Sequence, residues 1–256
     1  MPALSLRDAV KDYPVQRELR ELLRSPFRFR HRRALAGVSF QIERGEVLAL
    51  VGPNGSGKTT CVKLLAGLVL PTSGHAFVCG QDVALGPELA QAQVGYVTSD
   101  ERSFYWRLTV RQNLSFFGAL HGLGDRLVRE RVEEAAESLA FAELLDRPFR
   151  TLSSGQKARV SVGRGLLHAP SALLLDEVTR ALDPGAAERL RRLVREELAG
   201  RRKIGILLAT HDLAEARAVA DTVALLVDGS LRAHGPYAEV EGALQETFFA
   251  AAGADR

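Results

Sequence analysis

Short apolar runs alternate along the chain with longer stretches in which apolar residues recur at helical spacing. The runs are bounded by glycine, aspartate or charged residues, as buried strands are. They are Val47–Val51, Val94–Val97, Ala172–Leu175, Ile204–Ala209 and Val223–Val227. The predicted helices are Thr59–Leu68, Leu127–Ala140, Gly155–Leu167, Ala186–Leu198 and Asp212–Ala220. This alternation predicts an α/β fold with a mostly parallel sheet and helices on both of its faces.

Two regions depart from the alternation. The N-terminal part, through Val38–Ile42 and Val47–Leu50, has the alternating pattern of β-structure. The middle of the chain, from about Thr109 to Leu167, is mostly helical in pattern. We therefore expect one domain over residues 1–256. Its α/β core would carry an N-terminal antiparallel β lobe and an inserted helical lobe at about 98–167.

Composition and charge exclude several classes of protein. With 46% hydrophobic and 25% charged residues among 256, the chain has a globular composition and is not a disordered one. A net charge of +3 is too small to argue for a nucleic-acid partner. There is no run of about twenty apolar residues, and Met1–Val10 has no apolar signal core, so we expect a cytoplasmic protein. Cys61 and Cys79 suit neither a disulfide framework nor a zinc site.

A phosphate-binding loop follows the first buried strand. The segment fits the pattern G-x-x-x-x-G-K-[ST] between a predicted strand and a predicted helix, which is the context that supports the assignment. Its glycines let backbone N–H groups point at an anion, and the helix N-terminus adds partial positive charge. Lys58 is expected to reach the β- and γ-phosphates and Thr59 to bind Mg²⁺. The residues predicted to bind the nucleotide here are Gly52, Pro53, Asn54, Gly55, Ser56, Gly57, Lys58, Thr59 and Thr60.

A second motif is the apolar strand Ala172–Leu175, which runs into Asp176 and Glu177. In a parallel sheet the carboxyl ends of the strands face the ligand crevice. Asp176 is then suited to hold Mg²⁺, and Glu177 to polarise an attacking water as a general base.

The segment Leu152–Gln156 precedes an amphipathic helix and has two interpretations. Ser153 or Ser154 is suited to cap the helix, and a helix N-terminus with small residues also binds anions. The residue types alone do not choose between these roles.

In this order, the motifs resemble those of the nucleotide-binding subunits of ATP-binding cassette (ABC) transporters, from about Leu4 to Val240. Residues 152–156 are similar to the family signature LSGGQ, with Ser154 where the family has its first glycine. Residues 173–177 resemble the Walker B strand with its catalytic glutamate. Residues 181–183 resemble the D-loop, although Arg180 stands where a small residue is common. His211 matches the switch histidine that contacts the γ-phosphate.

The resemblance implies a fold and a mechanism. The fold would be that of P-loop nucleoside triphosphatases, with ATP and Mg²⁺ bound. The chain would pair with a second copy of itself or with a related cassette, so that the signature of one closes over the phosphate loop of the other. The residues implied to bind ATP from the signature and D-loop are Ser153, Ser154, Gly155, Gln156 and Asp183. Glu177, His211 and Lys58 would be the catalytic residues.

The glutamine that the family places near Mg²⁺ has no clear counterpart. Ser99 or Asp100 falls at that position, depending on the alignment, and Ser99 is our predicted metal contact. The aromatic residues of the following segment, Ser103–Arg107, suit either packing within the helical lobe or a surface for a membrane partner.

The aromatic residue that stacks on adenine also has two candidates. Tyr13 resembles the end of the family's first strand, whereas counting back from Gly45 selects Phe29; we favour Tyr13. The two disagree because residues 14–30 resemble an insertion. Arginines and leucines at helical spacing predict a basic amphipathic helix there, which either packs on the β lobe or contacts a partner or anionic head groups.

The resemblance favours a transport ATPase over other classes. The chain has one cassette, and Leu152 lies only 94 positions after Lys58, too close for the long coiled coil of DNA-repair members. A kinase or GTPase would not explain the signature or His211. Translocation would then belong to a separate transmembrane permease, and this chain would bind to that permease at the cytoplasmic face of the cell membrane. The tail Leu244–Phe249 and the segment Arg111–Leu114 resemble the ABC-2 exporters of drugs, lipids or polysaccharides, with an importer as the alternative.

Overall fold

The computed structural model describes residues 1–14, 31–99 and 103–254, with side chains as far as residue 248. Phe29, Asp100 and almost all of the predicted insertion lie outside the described residues. The strands are β1 Leu4–Pro14, β2 His31–Ile42, β3 Val47–Val51, β4 Ser73–Val78, β5 Gln81–Asp82, β6 Val94–Thr98, β7 Ala172–Asp176, β8 Gly205–Thr210, β9 Thr222–Val227 and β10 Ser230–Gly235. The α-helices are α1 Lys58–Leu65, α2 Pro87–Gln93, α3 Val110–Leu120, α4 Asp125–Ser138, α5 Ser154–Leu166, α6 Pro184–Arg192, α7 Leu213–Val219 and α8 Tyr237–Ala254.

Two sheets form the framework of the described residues. Six strands make one sheet in the order β10-β9-β3-β8-β7-β6, in which only the β10–β9 pair is antiparallel. Four strands make an antiparallel sheet in the order β2-β1-β4-β5. The helices α3, α4 and α5 form a helical lobe beside the larger sheet. The predicted α/β fold with a β lobe and a helical lobe is confirmed.

The core lies on both faces of the larger sheet. Along β7, Leu173 and Leu175 pack into the cluster shared with the helical lobe, while Ala172 and Leu174 pack into the cluster shared with α1 and the β lobe. Successive side chains of a strand point to opposite faces, so a strand covered on both sides reads as a continuous apolar run. This is why the five runs were visible in the sequence.

Several predicted boundaries shift. The helix predicted over Ala186–Leu198 begins at Pro184, where Asp183 caps it, and continues past Arg192 as a π-helical stretch, Leu193–Arg201. The strand Val47–Val51 belongs to the parallel sheet and not to the β lobe. The short helix α2 had no counterpart in the prediction, because its seven residues bury only Ala90 and so carry little periodicity.

The signature helix approaches the sheet closely at one point. A Cβ atom added to Gly95 in β6 would lie 2.2 Å from the carbonyl oxygen of Gly165 in α5. Only glycine permits this separation, and α5 is thereby held against the edge strand of the sheet. No helix within the described ranges is long and apolar enough to cross a membrane.

Candidate functional site

The phosphate loop connects β3 to α1. Gly57 precedes the helix with φ of +110°, a left-handed conformation that favours glycine. The Lys58 side chain is almost fully buried, and its Nζ donates hydrogen bonds to the carbonyl oxygens of Gly52 at 2.7 Å and Pro53 at 3.1 Å. Burial lowers the pKa of Lys58, and the charges of Glu177 and Asp176 oppose that shift. The lysine therefore lies folded over the loop, within electrostatic reach of both carboxylates.

Asp176 ends β7, and its neighbours are polar. It shares side-chain hydrogen bonds with Thr59, the second residue of α1, and with Tyr96 of β6. Burial raises the pKa of Asp176; the Thr59 hydrogen bond and the charge of Lys58 oppose the rise. The pKa of Tyr96 is raised to about 12 by burial and by Asp176. Sequence reasoning missed Tyr96, because nothing in the pattern of β6 indicates that this strand lies beside β7.

Glu177 follows directly and is held from three sides. It has φ of +52°, which is uncommon for a residue with a side chain, and its backbone N–H donates to Ala209 O at 2.9 Å. Arg180 Nη1 donates to its Oε2 at 3.0 Å, and His211 Nδ1 lies 3.2 Å from its Oε1. The structure thus brings the predicted catalytic glutamate and histidine together. It also shows that Arg180, which departs from the family pattern, contacts the same carboxylate.

A cavity of about 590 Å³ opens in front of these groups. The phosphate loop and Glu177 form one end, and Tyr13 from the β lobe forms part of the wall. The residues that line it are Tyr13, Arg32, Arg33, Ala34, Asn54, Gly55, Gly57, Lys58, Thr59, Thr60, Glu177, Asp228 and Gly229. Tyr13 thus lines the same cavity as the phosphate loop, and its role in stacking on adenine stays a prediction.

The signature segment lies apart from this cavity. Ser153 caps α5 in a reciprocal arrangement: Gln156 N donates to Ser153 Oγ at 3.3 Å, and Ser153 N donates to Gln156 Oε1 at 2.9 Å. The helix-cap interpretation is thus confirmed, while anion binding by the same segment stays a prediction. Ser153 and Ser154 are exposed, as residues that act on a second cassette would be.

Two other predicted residues have local roles in the described chain. Asp183 caps α6 by accepting a hydrogen bond from Ala186 N at 2.9 Å. Ser99 follows β6 and lines a small cavity with Ser154 and Leu182. Neither is among the described residues that line the larger cavity. The metal contact predicted for Ser99 therefore stays a prediction.

The aromatic segment divides into a buried and an exposed part. Phe104 is buried and stacks on Phe149 with ring centroids 4.3 Å apart. Tyr105 and Trp106 are half exposed, and Tyr105 packs edge-on against Phe116 at 5.1 Å. Burial of Phe104 therefore supports packing within the helical lobe, whereas the exposure of Tyr105 and Trp106 supports a surface for a partner.

The chain is similar to known transport ATPases. Residues 35–180 match the family model described as ABC transporter. Over 221 residues the chain is 33% identical to the uncharacterized ABC transporter ATP-binding protein YxlF of Bacillus subtilis, covering 86% of this chain and 72% of that one. Over 217 residues it is 36% identical to the doxorubicin resistance ATP-binding protein DrrA of Mycobacterium tuberculosis, covering 84% of this chain but 64% of DrrA. CbiO1 from Clostridium perfringens, part of the ABC transporter complex cbiONQ, has a TM-score of 0.81 at 28% identity, covering 94% of this chain and 91% of that one.

Proposed function

Since the chain belongs to the ABC transporter family of ATP-hydrolysing cassettes, we propose that it powers a separate transmembrane protein from the site around Lys58 and Glu177. One observation carries the assignment of the site. Lys58, Thr59, Thr60 and Glu177 line a single cavity whose opposite wall includes Tyr13. A purine on Tyr13 and phosphates on the loop account for both ends of that cavity.

The hydrolytic step follows from the charges around the phosphates. Attack of water on the γ-phosphorus forms one P–O bond, breaks the bond to the β-phosphate oxygen and releases ADP and inorganic phosphate. Glu177 orients this water and accepts its proton, and His211 steadies the γ-phosphate. Lys58 leaves the carbonyl oxygens it now contacts and neutralises the developing charge on the phosphate oxygens.

The oxygen atoms present suit Mg²⁺. Thr59 and Asp176 already interact through a hydrogen bond, and hydroxyl and carboxylate oxygens are the ligands that Mg²⁺ prefers. Within the described residues there is no cluster of three or more His, Cys, Asp or Glu side chains able to hold a metal alone. Thr59 and Asp176 would therefore hold the ion together with phosphate oxygens and water, with Ser99 as a further predicted contact. Bound there, Mg²⁺ supplies charge neutralisation at the phosphates.

Two cassettes complete the site. Ser153, Ser154, Gly155 and Gln156 of a second cassette, with its Asp183, close over the nucleotide. The exposure of Ser153 and Ser154 supports this arrangement. Light scattering on Glu177→Gln tests this pairing, because a variant without the general base hydrolyses ATP slowly and so keeps ATP bound. ATP and Mg²⁺ should convert the 27.8 kDa chain to a dimer. A variant that binds ATP but stays monomeric would contradict self-pairing.

The partner is a transmembrane permease, and the cassette acts at the cytoplasmic face of the membrane without contacting nucleic acid. Export of a drug, lipid or polysaccharide is the direction we favour. The similarity to DrrA, named for doxorubicin resistance, supports this direction. The half-exposed Tyr105 and Trp106 are the residues we assign to contact with the permease.

Substitution of the lysine tests the nucleotide site itself. Lys58→Ala should abolish measurable ATP binding in equilibrium titrations with a fluorescent ATP analogue, because it removes the cation within the loop. Lys63→Ala, also on α1 but not among the residues lining the cavity, is the matched control and should bind normally. Unchanged affinity in Lys58→Ala would contradict the assignment.

A further inference from the structure

Cross-strand pairing at the outer end of β1 and β2 brings an arginine beside Tyr13. The register pairs Tyr13 with Arg32 and Asp12 with Arg33. Directly opposite residues of an antiparallel pair project from the same face, and successive residues project from opposite faces. Tyr13 and Arg32 therefore share one face, and both line the 590 Å³ cavity.

The cations of this cavity wall differ in how they are compensated. Lys58 Nζ is bonded to two carbonyl oxygens of the phosphate loop. Arg33 forms two hydrogen bonds with the Asp12 carboxylate, at 2.9 Å and 3.2 Å. Arg32 is exposed, and none of the described side chains, which end at residue 248, forms a hydrogen bond or ion pair with its guanidinium. Its side chain lines the cavity, and guanidinium groups match the geometry of phosphate oxygens.

The course of β2 indicates which part of a nucleotide Arg32 faces. Two residues after Arg32, the carbonyl oxygen of Ala34 lies so close to the phosphate loop that a Cβ atom on Gly57 would be 2.7 Å from it. Ala36 N then donates to Gly229 O at 2.8 Å, which ties the strand to the larger sheet. Arg32 is thus level with Tyr13, and the same strand reaches the phosphate loop two residues later, at Ala34.

We infer that Arg32 is a nucleotide-binding residue of the β lobe that contacts the α-phosphate. The inference rests on the proposed ATP site and adds to it a residue outside the motifs of the sequence. The end of β1 and the start of β2 then both belong to the nucleotide site, in which Tyr13 contacts the base and Arg32 contacts the adjacent phosphate. The contact is shared by ATP and ADP, because both carry the α-phosphate.

Equilibrium affinities for ATP and ADP test this inference. Arg32→Ala should bind both nucleotides about tenfold more weakly, the effect of losing one charge-assisted contact. Arg32→Lys should recover part of the loss, since it keeps the charge without the planar fork. Arg126→Ala removes the same charge from α4, where the side chain is 90% exposed, and should bind both nucleotides normally.

Each other outcome has a distinct meaning. A loss for ATP but not ADP would place the contact at the γ-phosphate and overturn the inference. Unchanged affinities in Arg32→Ala, with normal binding by the wild type, would overturn the inference and leave the proposed function intact. Failure of the wild type to bind ATP would contradict the proposed function and the inference together.

Discussion

Asn113 holds the loop that presents the exposed aromatic residues, and its loss should be measurable. The side chain is fully buried in α3. Its Oδ1 accepts a hydrogen bond from Tyr105 N at 2.8 Å. Its Nδ2 donates to Tyr105 O and Thr109 O, both at 3.0 Å, and more weakly to Leu108 O at 3.4 Å. Replacement by leucine keeps a similar volume and removes all of these bonds.

The magnitude follows from which groups keep a second partner. Leu108 N still donates to Tyr105 O at 3.1 Å, and the backbone N–H of residue 113 still donates to Thr109 O at 3.0 Å. Both carbonyl oxygens thus keep a donor, so loss of the bonds from Asn113 Nδ2 to Tyr105 O and Thr109 O should cost roughly 0.5–1.5 kcal/mol each. The Tyr105 N–H loses its acceptor, which adds roughly 1–3 kcal/mol. Part of this sum is offset by burial of leucine, so we expect Asn113→Leu to lower the free energy of unfolding by about 3 kcal/mol. For a chain of this size that is a fall in Tm of roughly 6–12 °C.

Trp106 makes the assay specific, because it is the only tryptophan in the chain. It lies one residue after Tyr105, so its emission reports on this loop. Asn113→Leu should shift the emission to longer wavelength and lower the Tm seen by circular dichroism. Ser115→Ala, on the same helix, is the control and should change neither. A Tm within 2 °C of wild type with unchanged emission would refute this account of the loop.

Three further predictions concern the Glu177 carboxylate, the contact between β6 and α5, and stability in acid. Arg180→Ser should lower ATP turnover roughly two- to fivefold without changing ATP affinity, because Glu177 loses one of the two side chains that orient it. Equal turnover of the variant and the wild type in a steady-state assay would show that this contact does not affect hydrolysis. Gly95→Ala should lower the free energy of unfolding by about 2–3 kcal/mol in urea titrations, since its Cβ would meet a carbonyl oxygen at 2.2 Å. Gly242→Ala, inside the helix Tyr237–Ala254, enters open space and should not lower it. Burial lowers the pKa of His168 from the ordinary histidine value of 6.5 to about 4. Between these two pH values unfolding takes up a proton, so the free energy of unfolding decreases as the pH is lowered. Between pH 7 and pH 5 the wild type should lose roughly 1–2 kcal/mol more stability than His168→Gln; equal losses in pH-dependent denaturation would contradict this.

Local motifs were the part of the site that the sequence could predict. The phosphate loop and the Asp176–Glu177 pair each lie within a few residues of a buried strand, and parallel strands bring their carboxyl ends to one edge. The sequence left two roles for Ser153, helix capping and anion binding. The reciprocal hydrogen bonds with Gln156 show that Ser153 caps the helix.

Contacts between distant segments could not be predicted in this way. Tyr96 meets Asp176 because β6 and β7 are neighbours, and the order of strands is not contained in either strand's own pattern. The pairing of Arg32 with Tyr13 depends likewise on the register of β1 and β2, which neither strand's own pattern contains. Arg180 was visible only as a departure from the family pattern, and its partner came from the geometry of the turn after β7.

The central claim is that Glu177 is the general base of an ATP-hydrolysing cassette. The most direct measurement compares steady-state ATP turnover and ATP affinity of the wild type and Glu177→Gln under the same Mg²⁺ concentration. The account predicts at least ~10²-fold slower turnover with affinity retained, the usual share of a general base. Turnover within a few-fold of the wild type would contradict it.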